Sequence, residues 1–205
     1  QLAIKDGSFA WEIAPVTVAG RKGEVVIKDD EQPPKAQVEK IPNLKPAFKK
    51  DGTVTAANSS SISDGAAAVV LMRESKAKAL GLAPLARIVG HTTHAQAPNL
   101  FTTAPVGAME KLLAKTGWKV GDVDFWEINE AFAVVTMAAL HDLKLDPAKV
   151  NVHGGACALG HPIGASGCRI LVTLLGALKK YGGKKGVASL CIGGGEAVAV
   201  AVEMI

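Results

Sequence analysis

Aromatic side chains are scarce: Phe, Trp and Tyr together make up 4% of the chain, with a single Tyr. No basic stripe is interleaved with aromatics, which argues against a nucleic-acid groove. The mild net charge of +4 suits a small anionic ligand instead. Cysteine is also sparse. Three cysteines at irregular spacing make a poor disulfide scaffold and point to a reducing compartment, hence a cytoplasmic location. Long apolar runs are missing as well. The longest, "AFAVVTMAAL", is too short to cross a bilayer, so no membrane association is expected. No secretory pattern opens the chain. Residue 1 is Gln rather than Met, so further chain upstream is expected.

What is present is a core. The chain is 48% hydrophobic and 20% charged, the balance of a globular protein, and its 22 glycines favour close backbone packing. Residues 1–62 read as loop-rich. "APVTVAG" and "EVVIKD" predict two short strands about the "GRKG" turn, and the prolines of "EQPPKAQVEKIPNLKPAF" exclude a long helix. "SDGAAAVVLMRESKAKALG" predicts a helix over 63–82, capped by Ser63 or Asp64 and ended by Gly81. From Pro84 onward strands and helices alternate. "LARIVGHTTH", "VDFWEI", "GVASLCI" and "EAVAVAVEMI" predict strands, and "VNVHGG" a short extended piece. "TTAPVGAMEKLLAKTG", "NEAFAVVTMAALHDL" and "SGCRILVTLLGALKKYG" predict helices. This alternation defines an α/β layered fold.

Chemistry has three candidate positions. In "WEINEAFA", Asn129 and Glu130 stand where a strand hands over to a helix, which is where ligands bind in α/β sheets. The ordinary alternative is that Asn129 caps the helix and Glu130 complements its dipole. In "HGGACALGHPIGASG", glycines surround His161. The glycine spacing imitates a nucleotide P-loop, but His161-Pro162 replaces the lysine and hydroxyl that such a loop needs. His153, Cys157 and His161 recur every four residues, yet the glycines and Pro162 oppose the continuous helix that would align them, so no metal is expected. In "ASLCIGGGEAVAV", Cys191 ends an apolar strand before Gly193, Gly194 and Gly195. It is either an inert buried thiol or a proton-transfer group beside backbone donors. Taken together, Asn, His and Cys at strand ends of one region point to acyl transfer or to proton abstraction next to a carbonyl.

"NEAFA", "GGACALGHPIGASG" and "CIGGG", in this order, resemble the thiolases, and the acetyl-CoA acetyltransferase subgroup in particular. "KPAFKKDGTVTAANSSSISDGAAAVVLM" extends the resemblance over nearly the whole chain. It implies the thiolase fold, a five-layer αβαβα sandwich of two similar halves with an inserted loop domain. On that map residues 1–62 are the later part of the CoA-binding loop domain, 63–82 a helix of the N-terminal half, and 83–205 the C-terminal domain. The implied reaction condenses two acetyl-CoA molecules to acetoacetyl-CoA and CoA, reversibly. By resemblance, His161 activates the acylated cysteine and Asn129 positions a water in the oxyanion site. Cys191 takes the α-proton, and the Gly193 N–H completes a second oxyanion hole. Ser60, Phe48, Ala56, Ile62 and Phe132 are implied as coenzyme A contacts, with Lys40 near the phosphates. Coenzyme A is a substrate here, and no tightly bound cofactor is implied. The family's acylated cysteine is expected upstream of residue 1, since Cys157, Cys168 and Cys191 lack its context. The implied partners are therefore an N-terminal thiolase half and further copies of the chain, as a dimer or tetramer. Two alternatives stand beside this reading: a non-catalytic half that binds CoA or a partner, and a thiolase for longer 3-ketoacyl chains. Glu196 departs from the family pattern, which often has an uncharged residue there.

Overall fold

A computed structural model describes residues 1–205. Near the amino terminus, α1 (Leu2–Lys5) precedes an antiparallel hairpin of β1 (Val16–Gly20) and β2 (Gly23–Ile27), which turns at Arg21-Lys22 as its sequence predicts. The hairpin is exposed on both faces. Beyond it, α2 (Gln32–Lys35) and a short 3₁₀ turn at Val38–Asn43 are all the regular structure the proline-rich stretch forms.

The helix expected over 63–82 is not there. Only α3 (Glu74–Ala79) is helical, and residues 64–73 run without regular structure. The physical reason lies at both ends of that stretch. Ser63 does not cap a helix: its Oγ hydrogen-bonds to Ser61 instead. The following "AAAVVLM" carries two β-branched residues, which disfavour helix. Val70 is 85% exposed, so this apolar run has no cover within the chain.

The remaining elements form one mixed sheet with helices on both faces. In chain order they are β3 (Ala86–Ala95), α4 (Ala104–Thr116), β4 (Phe125–Ile128), α5 (Ala133–Asp142), α6 (Ala156–Leu159), α7 (Ser166–Tyr181), β5 (Lys185–Cys191) and β6 (Glu196–Met204). Strand order is β3-β6-β5-β4. β6 runs antiparallel to both neighbours, while β4 and β5 are parallel and so need the long crossover that α5, α6 and α7 supply. Gly117 ends α4 in the left-handed conformation (φ 71°), as its position predicts.

Period-two alternation sorts the core into two layers. On one face, Trp126 and Ile128 of β4, Val187 and Cys191 of β5, and Ala197, Ala199 and Ala201 of β6 meet Ala108, Met109 and Leu112 of α4 and Val135 and Ala139 of α5. The alanines of β6 let α4 lie close. On the other face, Ala188 and Val202 meet Ile170, Leu174 and Leu178 of α7. Met109, Leu112, Leu174 and Leu178 are fully buried, and burying each stabilises the fold by roughly 1.5–3 kcal/mol. These residues thus build an α/β/α unit of three layers, and a five-layer sandwich takes two such halves.

The amino-terminal segment lies along α7. Lys180 pairs with Asp6 (2.7 Å) and donates to Ser8 Oγ (2.5 Å), while Thr173 donates to Glu12 (3.0 Å). The Trp11 indole occupies the space a side chain at Gly176 would need.

Candidate active site

β4 and β5 run parallel, so their carboxyl ends open at the same edge of the sheet. Ile128 pairs with Ser189, and the next backbone N–H, that of Asn129, donates to the Ser189 carbonyl (2.9 Å). Asn129 is thus an extension of the sheet, not a helix cap: α5 begins at Ala133 behind an extended Phe132. Asn129 is buried, and its Oδ1 has no hydrogen-bond partner within the chain.

The Asn129 Nδ2 lies 3.4 Å from His161 Nε2. The other ring nitrogen settles the tautomer. Ser166 Oγ donates to the Pro162 carbonyl (3.0 Å), so it accepts from His161 Nδ1–H (2.5 Å). Nε2 is left with a lone pair facing Asn129, the form needed to accept a proton. Burial first, and the Arg169 charge second, hold His161 below the ordinary imidazole range and keep it neutral.

His161 is held in place by residues 58–65. Its backbone N–H donates to the Ser61 carbonyl (3.1 Å), and it bridges to Ile62. Gly160 permits this approach: its φ is 86°, and a Cβ there would stand 2.2 Å from Ser63 Oγ.

Cys191 ends β5 at the same edge, buried, and burial pushes its thiol up from the ordinary range. Beyond it, the Gly195 N–H returns to the Ile192 carbonyl (3.1 Å), closing a turn. Within that turn the N–H groups of Gly193 and Gly194 have no partner in the chain, so they are free to donate. Gly195 has φ 100°, and a Cβ on it would meet the Gln96 carbonyl at 2.4 Å. The structure therefore gathers Asn129, His161, Cys191 and Gly193 at one sheet edge.

The residues expected to meet coenzyme A are brought together in part. Ser60 N–H and Oγ both donate to the Ala131 carbonyl (3.1 and 2.9 Å), tying its segment to the turn after Asn129. Ser59 bridges to Phe132. Phe132 meets Phe48 edge-on at 6.4 Å and Phe101 at 6.3 Å. Phe48 is 74% exposed and Ile62 98%, so neither is an ordinary core residue. Ala56 lies exposed in the neighbouring turn. Lys40 is exposed on its 3₁₀ turn, and no hydrogen bond or ion pair of its ammonium ties it to the others.

Two positioning residues escape a reading of the sequence, and a third, singled out there, takes a different role. Ser166 is one, five residues after His161 in "GHPIGAS". Asn151 is another. Its side chain accepts from the Ile128 N–H (2.8 Å) and donates to the Ile128 carbonyl (2.9 Å), acting as a one-residue strand beside β4. To do so it takes φ 48°, which turns "VNVHGG" into a bend where an extended piece was expected. Glu130 is the third. It accepts from the Cys157 N–H (3.1 Å) at the start of α6 and from Asn151 (3.1 Å), so it serves α6 and not the dipole of α5. Cys157 is pushed up to about 12, chiefly by burial and then by Glu130, which leaves it inert as a nucleophile. His153 packs on Phe9 and Tyr181 and shares no cluster with His161.

Comparison with known proteins agrees with this geometry. The family model "Thiolase, C-terminal domain" matches residues 82–204, and "Thiolase, N-terminal domain" matches residues 1–75. An acetyl-CoA acetyltransferase of Paracoccus denitrificans is 52% identical over 204 residues, covering 99% of this chain and 52% of that protein. The crystal structure of the Bacillus anthracis acetyl-CoA acetyltransferase superposes with a TM-score of 0.96 at 48% identity, over 100% of this chain and 52% of that one. The Acat5 thiolase from Ascaris suum, solved in complex with coenzyme A, has a TM-score of 0.87 at 40% identity, over 100% of this chain and 52% of that one. The chain belongs to the thiolase family. It spans about half the length of the relatives it matches.

Proposed function

We propose that this chain is the C-terminal part of an acetyl-CoA acetyltransferase, which condenses two acetyl-CoA molecules to acetoacetyl-CoA and free CoA and also catalyses the reverse thiolysis. The observation that carries the reading is the Asn129–His161 pair, with Nε2 unprotonated, at the sheet edge where Cys191 and the free Gly193 N–H also end.

In this reading the acylated thiol comes from outside these residues, from an N-terminal thiolase half. His161 Nε2 takes the proton of that thiol, which attacks the first thioester; the carbon–sulfur bond to CoA breaks, and CoA leaves as its thiol by taking the Cys191 proton. Cys191, now a thiolate, removes a proton from the α-carbon of the second acetyl-CoA. The resulting enolate attacks the acyl group, the carbon–carbon bond forms, and the upstream sulfur leaves and takes its proton back from His161. Enolate charge is met by His161 and by a water held on Asn129, whose Oδ1 has no partner in the chain. The tetrahedral intermediate is met by the Gly193 N–H. Preorganised donors of this kind typically supply about 10²–10³ in rate each. The exposed Phe48 and Ile62, with Ser60, Ala56 and Phe132, line the pantetheine path, and Lys40 lies toward the phosphates. The exposed apolar run at Val70 supports a covering partner: the N-terminal half, within a dimer or tetramer. All three cysteines are free, which fits a cytoplasmic location. No helix is long and apolar enough to cross a membrane.

The test uses the full-length protein. Incubation with acetyl-CoA leaves an acetyl adduct on a cysteine other than Cys157, Cys168 and Cys191. Cys191→Ser keeps that adduct but lowers acetoacetyl-CoA formation by about 10²–10⁴-fold. Equal loss of both steps would sink the assignment of Cys191, and absence of any adduct would favour a CoA-binding half without transferase activity.

A further inference from the structure

A second buried polar cluster lies behind the site and touches none of the groups assigned to the reaction. Alternation along β4 turns Trp126 and Ile128 toward α4 and α5, and Glu127 toward α7. Glu127 is 1% exposed. Its Oε2 lies 3.7 Å from Arg169 Nη1 on α7. Glu12, from the amino-terminal segment, accepts from Thr173 one turn further along the same helix (3.0 Å). Glu127 Oε1, Arg169 Nη1 and Glu12 Oε1 are all buried without a hydrogen-bond partner in the chain.

Burying unpaired polar atoms is costly, and a surrounding fold keeps them only against a competing cost. Here the arrangement places one fixed cation behind the imidazole. Ser166, Arg169 and Thr173 fall on one stripe of α7, with spacings of three and four residues. The turn that carries the Nδ1 partner of His161 therefore also carries the guanidinium. Burial raises both Glu127 and Glu12, toward their uncharged forms, which leaves the Arg169 charge poorly cancelled. The titratable and charged groups on the elements around His161 are Cys168, Arg169, Lys179, Lys180 and Tyr181 of α7, Cys157 of α6, Glu127 of β4, Glu130 in the turn after it, Glu12 of the amino-terminal segment, Lys185 and the Cys191 thiol of β5, and the exposed Asp64. The lysines of α7 stand at its far end, with Lys180 on Asp6, and Arg169 is the cation that acts on His161.

We propose that Arg169, 3.7 Å from the buried Glu127 carboxyl and one helix turn from Ser166, is a positioning residue for His161: it fixes the helix turn that holds Nδ1 and sets a fixed positive charge behind the imidazole. This deepens the reading of His161 as the base and rests on it. Arginine suits the place because it stays charged when buried, where lysine readily loses its proton.

The test follows the His161 ring by NMR through a pH titration of the full-length protein. Arg169→Met moves the His161 midpoint upward, since a repelling cation is gone. Arg169→Gln, polar but uncharged, gives the same upward shift and serves if the Met variant does not fold. An unchanged midpoint in a folded, charge-deleted variant overturns the proposal, because a merely structural arginine would leave the titration alone. The readout needs no turnover, so failure of the acetyl transfer assay and failure of this proposal are told apart.

Discussion

Ser166→Ala is the sharpest probe of how the site is held. Ser166 is fully buried, and its hydroxyl joins two groups: it accepts from His161 Nδ1–H at 2.5 Å and donates to the Pro162 carbonyl at 3.0 Å. Alanine removes both bonds at once and leaves the His161 Nδ1–H without a partner, while the Pro162 carbonyl keeps the backbone N–H groups of residues 165 and 166 (2.8 and 2.9 Å). Each bond is worth a net ~0.5–1.5 kcal/mol, and an orphaned buried group costs ~1–3 kcal/mol, so a loss of about 1–3 kcal/mol is expected. For a chain of this size that is a drop in Tm of roughly 3–10 °C, read by circular dichroism. The second consequence is chemical. Without an acceptor at Nδ1, the ring is no longer held with its proton there, and Nε2 is no longer reserved as the base. Nitrogen chemical shifts of the ring report this directly, and full-length protein loses kcat more than it gains KM. A variant that melts with the parent and keeps its Nδ1 proton would refute the tautomer argument, whatever its activity.

Two further outcomes follow from the same geometry. Gly160→Ala forces a Cβ into a conformation (φ 86°, ψ 170°) that side chains rarely adopt and brings it to 2.2 Å from Ser63 Oγ, so roughly 2–4 kcal/mol is lost in urea unfolding, and Ser63→Ala restores part of it. Glu127 is pushed up to about 8 from 4.5, mainly by burial. The folded state then holds a proton that the unfolded chain has released, so the stability this group contributes is complete below pH 4.5 and falls as pH rises toward about 8. Glu127→Gln flattens that decline. An unfolding free energy with the same pH slope in parent and variant would show that Glu127 ionises in the folded protein as it does in water.

Much of the carboxyl-terminal architecture is legible in the sequence because it rests on local physics. The strands at 86–95, 125–128, 185–191 and 196–204 alternate or run apolar as buried strands must, and α4 starts after Thr103 and stops at Gly117. Asn129, His161 and Cys191 are legible as a set since each sits at a strand end or among glycines. What escapes is set by contacts distant in sequence. Glu127 reads as one polar residue inside a strand, and nothing nearby announces that Arg169 and Glu12 will meet it. Asn151 and Glu130 act by bonding backbone groups more than twenty residues away, which no local pattern encodes. The 63–82 region misleads for a related reason. Its alanines favour helix, but Ser61 and Ser63 are drawn toward residues 160–161, and residues 64–73 ahead of Glu74 take no regular structure.

Helix α7 works as a shaft with fixed stations. Ser166, Arg169, Thr173, Gly176 and Lys180 follow one another at intervals of three or four residues, and they engage in turn His161, Glu127, Glu12, Trp11 and the Asp6–Ser8 pair. A helix advances about 100° per residue. Inserting or deleting a single residue between the first and last station would swing every later one out of line with its partner. The length of the helix between residues 166 and 180 is therefore fixed independently of the apolar residues Ile170, Leu174 and Leu178 that pack its core side. A length change just after Ser166 parts every later station from its partner, whereas one just before Lys180, some 20 Å away, releases only the Asp6–Ser8 contact.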